Sequence, residues 1–266
     1  MFHVKIRVGF IILKIETENK NFFQRLESRF HRFIEKEAKP EGIIVLSLTQ
    51  EILKSAWIEP EVICEGNVWT IIGSGIKGRI DQRESIAEFQ ISPSRSMQEV
   101  EYLIRIASAI WIFEKGGLLI HGAALVRNDH GYLFTGHSGA GKTTVCRVSK
   151  DALILNDDLI AIGFSESGWE VLATPFSNPT QNEPNPGKAP LKAILKLNQA
   201  KEHRIDEVLT VIALADLLTH IPVLSIRKEN MELIMGRCHH ILKEVKTYNL
   251  NFLPDDRFWD LVPEIP

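Results

Sequence analysis

Eight consecutive residues, Gly136-His137-Ser138-Gly139-Ala140-Gly141-Lys142-Thr143, satisfy every defined position of G-x-x-x-x-G-K-[ST]. Each residue type has a physical task in such a segment. Glycines at 136, 139 and 141 let the backbone turn so that successive N–H groups point into one concavity, where they meet phosphate oxygens. A helix beginning near Lys142 adds the positive end of its dipole. The Lys142 ammonium has the reach for β- and γ-phosphates, and the Thr143 hydroxyl suits Mg2+. The candidate nucleotide-binding set therefore runs through Gly136, His137, Ser138, Gly139, Ala140, Gly141, Lys142, Thr143 and Thr144. A glycine-rich turn that binds nothing is the alternative. It is disfavoured because the full match sits between an apolar strand, Tyr132–Thr135, and a helix.

Asp157 and Asp158 end the apolar run Leu153-Ile154-Leu155-Asn156, the shape of a Walker B element, only fifteen residues beyond Lys142. The short return is geometrically workable. A nine-residue helix, 142–150, leads away by roughly 13 Å at about 1.5 Å per residue. A five-residue strand, 152–156, comes back by about 16 Å at about 3.3 Å per residue. Both carboxylates then arrive beside the phosphates. One can hold Mg2+, directly or through water, and the other can accept the proton of an attacking hydroxyl. The bland alternative is an Asx-rich turn after a buried strand.

His121 is the third candidate. The runs Leu118–Val126 and Gly131–Thr135 flank Arg127-Asn128-Asp129-His130, a hairpin signature. A turn at Asn128-Asp129 pairs residues whose numbers sum to about 258, which sets His121 near position 137 at the mouth of the loop. There it could bond a phosphate oxygen, although a lone strand histidine is commonly structural.

The elements that must position these groups are legible in outline. Residues 2–16 read as one long strand or a tight pair, and Asn21–Lys36 switches to helical spacing through Phe22, Phe23, Leu26, Phe30, Phe33 and Ile34. Gly42–Leu48, Val68–Ile72 and Ile86–Ile91 are further strands, and a broad apolar face predicts a helix over about Ser96–Glu114, closed by Gly116-Gly117. Past the loop come strands at Leu159–Phe164, Trp169–Ala173 and Leu191–Leu197, then helices at Ile205–Leu218 and about Lys228–Lys246. Residues 174–190 hold five prolines and form a long loop. The reading is an α/β fold: residues 1–95 as a smaller N-terminal α+β subdomain and 96–266 as a mixed-sheet P-loop catalytic domain. The boundary falls near 95 or 117.

Composition sets the frame. The 266 residues are 44% hydrophobic and 24% charged, with net charge −3, so no basic footprint points to nucleic acid. Cys64, Cys146 and Cys238 show neither metal spacing nor a disulfide framework, which fits a reducing compartment. No uncharged stretch has the length of a membrane span and no signal peptide is read, so a cytoplasmic protein without membrane partners is expected.

The combination of Leu119-Ile120-His121-Gly122-Ala123, a short hairpin, Gly136–Thr144 and Asn156-Asp157-Asp158 resembles the catalytic domain of HPr kinase/phosphorylase, a family related in fold to phosphoenolpyruvate carboxykinase. A looser likeness, through Ala173-Thr174-Pro175-Phe176, Ala189–Ile194 and Phe258-Trp259, reaches HPr-kinase-like proteins that accompany ribosomally made peptides, including lasso peptide kinases. The resemblance implies an ATP- and Mg2+-dependent kinase with His121, Lys142, Asp157 and Asp158 catalytic. Asp157 is then the base, with Asp158 supporting it or joining Thr143 at the metal. It also implies self-association. No counterpart of the R-G-L-G-I-I-D type of signature follows the aspartates, so it does not extend to HPr itself or to the reverse phosphorylase reaction.

The expected partner is a peptide or protein with a serine or threonine hydroxyl. Lys188, Lys192 and Arg204 are candidates for a second cation, and the five tryptophans, Trp57, Trp69, Trp111, Trp169 and Trp259, for core contacts. Two rivals stand: an ATP-binding sensor without transfer, and a carboxykinase-like enzyme, for which only Arg204 and Arg227 lie near the downstream strands.

Overall fold

A computed structural model describes residues 1–50, 58–177, 183–222 and 228–262. Trp57, Arg227 and positions 178–182 of the proline-rich loop lie outside the described residues. The chain divides into two compact units, Met1–Lys115 and Gly116–Pro266. The long helix after residue 95 falls in the first of them, so the division comes at the later of the two positions that the sequence offers.

In the first unit, β1 (Phe2–Val8) and β2 (Ile11–Thr17) form a tight antiparallel pair. Helix α1 (Lys20–Phe30) then crosses over to β3 (Gly42–Leu48), which lies parallel to β2. Asn19 starts α1 by accepting the Phe22 N–H, and the helix buries Phe22, Leu26 and Phe30, three of the residues whose spacing marks it. Strands β4 (Glu61–Glu65), β5 (Val68–Gly73), β6 (Ile76–Asp81) and β7 (Ile86–Ile91) complete a seven-stranded sheet among the described residues, in the order β1-β2-β3-β7-β6-β5-β4. Neither β4 nor β6 is expected from the sequence. In β6 the buried-exposed alternation of Ile76–Asp81 is carried partly by Gly78, which contributes no hydrophobic signal.

Helix α2 (Met97–Glu114) opens on a capping box between Ser96 and Glu99 and is buried on most of its circumference. Its Glu101 is 2% exposed. That carboxylate accepts from Arg29 Nε of α1 and from Arg105 Nη2 one turn on, each at 2.6 Å.

The second unit holds β8 (Leu118–His121), β9 (Ala123–Arg127), β10 (His130–Thr135), α3 (Lys142–Val148), β11 (Leu153–Asn156), β12 (Leu159–Ser165), β13 (Gly168–Leu172), β14 (Lys188–Gln199), β15 (Arg204–Glu207), α4 (Thr210–Leu218), α5 (Lys228–Glu244) and β16 (Lys246–Phe252). Strand β14 organises it. Its first residues pair antiparallel with β13, whereas its later residues lie parallel to β10 on one side and β16 on the other. Around that strand packs a core that includes Leu125, Phe134, Val145, Leu195, Leu250, Phe252, Phe258 and Trp259. Trp69, Trp111, Trp169 and Trp259 are all buried.

Two sequence expectations are corrected. Ile205–Leu218 is not one helix: Arg204–Glu207 is a strand paired with β16, and the helix begins at Thr210. Main-chain pairing to an available sheet edge here outweighs local helical preference. The run 118–126 is not one strand either. It breaks at Gly122, with β8 pairing β12 and β9 pairing β10.

Removing one guanidinium from Glu101 tests how firmly α1 holds α2. Because Arg105 remains and both arginines are about a quarter exposed, Arg29→Ala is expected to cost about 2 kcal/mol, below the range for a fully buried pair. Urea unfolding measures it, and an unchanged midpoint would show that the ion pair adds nothing.

Candidate functional site

The hairpin that delivers the glycine loop is closed by Asn128 and Asp129, both at positive φ (50° and 62°) as a two-residue turn requires. Its register, Arg127 opposite His130, differs by one from the sum expected. Strand β10 ends at Thr135, the loop follows, and α3 begins at Lys142 with Gly141 as its cap. Gly141 has φ 116°, and a Cβ there would lie 2.5 Å from the Phe252 ring of β16. Only glycine lets the loop rest on that ring.

Strand β11 runs antiparallel to β9 and brings the acidic pair back. Asn156 sets its end. The side-chain amide donates to Thr174 O at 3.0 Å and Phe176 O at 2.5 Å. Its oxygen accepts the Asp158 N–H at 2.8 Å and the Leu159 N–H at 3.4 Å, an Asx turn. This places Asp157 and Asp158 along the wall of one cavity of about 350 Å3, lined by His121, Ser138, Gly139, Gly141, Lys142, Thr143, Thr144, Asp157 and Asp158.

His121 reaches the cavity by a different route from the one its spacing suggests. It ends β8 opposite Leu159 of β12, not within the β9–β10 hairpin. Gly122 makes this possible, since a Cβ would stand 2.9 Å from Phe134 O, and its N–H donates to Asp158 O at 3.0 Å. His121 Nδ1 lies 3.3 Å from Asp158 Oδ1.

The electrostatics are concentrated. Lys142 is 9% exposed, and its ammonium donates to Gly136 O at 2.7 Å and His137 O at 3.3 Å. Burial holds its pKa below the usual lysine range, an effect opposed by the charge of Asp158. Asp157 is 1% exposed. Burial, with the Asp157 charge, pushes the neighbouring Cys146 thiol well above its ordinary range, which favours the protonated thiol over the thiolate.

Other candidates lie apart from the cavity. Lys188 is neutralised by Glu170 at 3.0 Å and Arg204 by Asp206 at 2.7 Å. Lys192 does not line the cavity. Residues to which the sequence assigned no role in the site are instead in place: Asn156 and Thr174 beside the aspartates, Gln199 Nε2 on Gly139 O at 2.6 Å, and His220 on the Gly136 N–H at 3.1 Å. Of these only Asn156 carries a local signal, as the Asx residue closing an apolar run.

The donor set is of hard oxygens. Among the described residues no group of three or more His, Cys, Asp or Glu side chains could hold a metal. A hydroxyl at Thr143 and a carboxylate at Asp158 fit a Mg2+ ion whose remaining ligands come from phosphate and water. No helix among the described residues is long and apolar enough to cross a membrane.

No protein-family model matches the chain, and no curated protein matches it. Among solved structures it is similar to the Hpr(Ser) kinase/phosphatase from Coxiella burnetii, at 10% identity over 55% of this chain and 91% of that one, with a TM-score of 0.28.

Asn156 offers a check on how the acidic pair is held. Asn156→Asp keeps the shape but sets a carboxylate oxygen against the carbonyls of Thr174 and Phe176. A loss of about 3 kcal/mol is expected from the buried bonds reversed. Thermal and urea unfolding measure it, and wild-type stability in this variant would contradict the geometry described.

Proposed function

We propose that the chain is an ATP- and Mg2+-dependent kinase that transfers the γ-phosphoryl group to a serine- or threonine-type hydroxyl of a peptide or protein, a ribosomally made peptide precursor being one such acceptor. One observation carries the reading: a single cavity is lined by the glycine loop, Lys142 and Thr143 together with Asp157, Asp158 and His121. A nucleotide holder needs only the first half of that set.

In this reading the loop N–H groups and Lys142 bind the polyphosphate and balance charge on the equatorial oxygens. Mg2+, when bound through Thr143 and Asp158, would supply further positive charge to the phosphate oxygens. Asp157 takes the proton of the acceptor hydroxyl as its oxygen bonds to the γ-phosphorus, the bond to the bridging oxygen breaks, and ADP leaves. His121 holds Asp158 and the terminal phosphate in place.

Exposure favours a second division of labour. The Asp158 side chain is 14% exposed and lies against the half-exposed His121, whereas Asp157 is 1% exposed. Asp158 with His121 would then receive the proton, and Asp157 would hold the site from below.

Labelled ATP with serine-containing peptides, Mg2+ and each variant separates these readings. Asp157→Asn is expected to slow transfer about a thousandfold, within the range of a general base, with ATP affinity nearly unchanged. A larger loss in Asp158→Asn than in Asp157→Asn would instead support the second division. ATP binding with no transfer to any hydroxyl acceptor would leave the sensor reading in its place.

The lysine gives a pH signature. Phosphate requires the charged ammonium, and burial places its pKa below 10.5. Affinity for ATP should therefore be full below that lowered pKa and fall as pH rises through it, by up to about tenfold per pH unit. Lys142→Arg, which stays charged, should bind less well at neutral pH but show no such fall. Parallel profiles for the two proteins would dissociate Lys142 from phosphate binding.

A further inference from the structure

We propose that His220 is a positioning residue of the phosphate loop, fixing the peptide at Gly136 through its ring and the strand end at His121 through its main chain. The proposal rests on the nucleotide-binding reading above and adds to it a residue 84 positions beyond Gly136.

The bonding pattern fixes the state of the ring. His220 is 8% exposed and stands one residue past Thr219, the C-cap of α4. Its Nε2 accepts the Gly136 N–H at 3.1 Å, so that nitrogen carries the lone pair. Its Nδ1 lies 2.8 Å from Asp216 O, which can only accept, so the proton is on Nδ1. Thr219 Oγ1, 3.1 Å from the same nitrogen, gives its own proton to Asp216 O. The ring is a neutral imidazole with one defined tautomer.

The same residue reaches the opposite wall. His220 O accepts the His121 N–H at 2.7 Å. The end of α4 cannot drift from either strand, because Asp216 pairs with Lys196 of β14 at 2.6 Å and accepts from Thr135 Oγ1 of β10 at 3.4 Å. Gly136 O in turn receives the Lys142 ammonium. The Gly136 N–H is thus committed to the ring and is not one of the donors left for phosphate. What it contributes is orientation, passed to Lys142 through the next peptide. His220 therefore sets the spacing between the wall that holds phosphate and the wall that carries His121 and Asp158.

Two isosteric variants separate positioning from bulk stability. The side-chain amide of His220→Gln can place an acceptor where Nε2 stands, whereas that of His220→Asn reaches only the Nδ1 position. In the wild-type chain, ring nitrogen NMR shifts should report the Nδ1–H tautomer, and the Gly136 amide should be protected from exchange. With both variants melting at similar temperatures, His220→Asn should weaken Mg2+-ATP binding about tenfold, the size of one lost hydrogen bond, and His220→Gln should restore it to within about threefold. Wild-type affinity in His220→Asn, equal weakening in both variants, or an Nε2–H tautomer would each overturn the proposal. A wild-type chain that shows the expected tautomer but binds no ATP would fail the nucleotide reading first, and the positioning role with it.

Discussion

Seven helical residues lead away from the glycine loop and four extended residues lead back. At about 1.5 Å and 3.3 Å per residue these distances are roughly 10 Å and 13 Å, so the chain must return almost to where it left. That near-equality of length makes the cavity. A helix two turns longer would need a longer strand to keep Asp157 and Asp158 level with Lys142. The core around Val145, Leu125 and Phe134 fixes both legs, and β9, lying between β10 and β11, sets their separation. The constraint is backbone length and sheet order; the side chains only exploit it.

Charge at the cavity follows from the same closeness. One ammonium, already disfavoured by burial, feels the charge of Asp158, and Asp157 lines the same cavity. A triphosphate would bring about four more negative charges, and interactions between unit charges at a few ångströms are several kcal/mol where water is partly excluded. Loop N–H groups and a helix end offset part of this. The remainder calls for a cation, and the hard oxygens of Thr143 and Asp158 beside the loop suit one. The kinase reading and the divalent ion thus stand together, because the same carboxylates that would serve the chemistry repel the nucleotide.

What could be seen in the sequence was whatever is local. The glycine loop, the Asn128-Asp129 turn, the Gly116-Gly117 stop after the long helix and the acidic pair each occupy a few adjacent residues whose types answer to one backbone geometry. What could not be seen depends on distant partners. Nothing around Gly122 announces that the chain changes its partner strand there; what demands a glycine is the Phe134 carbonyl, twelve residues on in the sequence but 2.9 Å from where a Cβ would be. Nothing around Arg204–Glu207 shows that β16 offers an edge to pair with. His220 and Thr174 stand far along the chain from the groups they hold, in segments whose patterns are those of an ordinary helix end and a proline-containing loop. The two ends of the α2 region illustrate the same limit: the helix was legible, but its membership of the first unit depends on partners such as Arg29.

The Asx turn at Asn156 dissolves an opposition that the sequence poses. A run of Asn-Asp-Asp after a buried strand can be read as a turn or as a reactive pair, as though one excluded the other. Here Asn156 spends its side chain on the main chain of the next residues and on the Thr174–Phe176 segment, and that is what frees the following two positions from turn-making. Asp157 and Asp158 can then line the cavity, Asp158 with its side chain partly open and Asp157 buried in the wall, because their backbone is held by a neighbour. A carboxylate that had to stabilise its own turn would have its lone pairs directed at peptide N–H groups, away from any ligand. The structural residue and the candidate chemical residues are consecutive because positioning a buried acid demands a turn that the acid does not make itself.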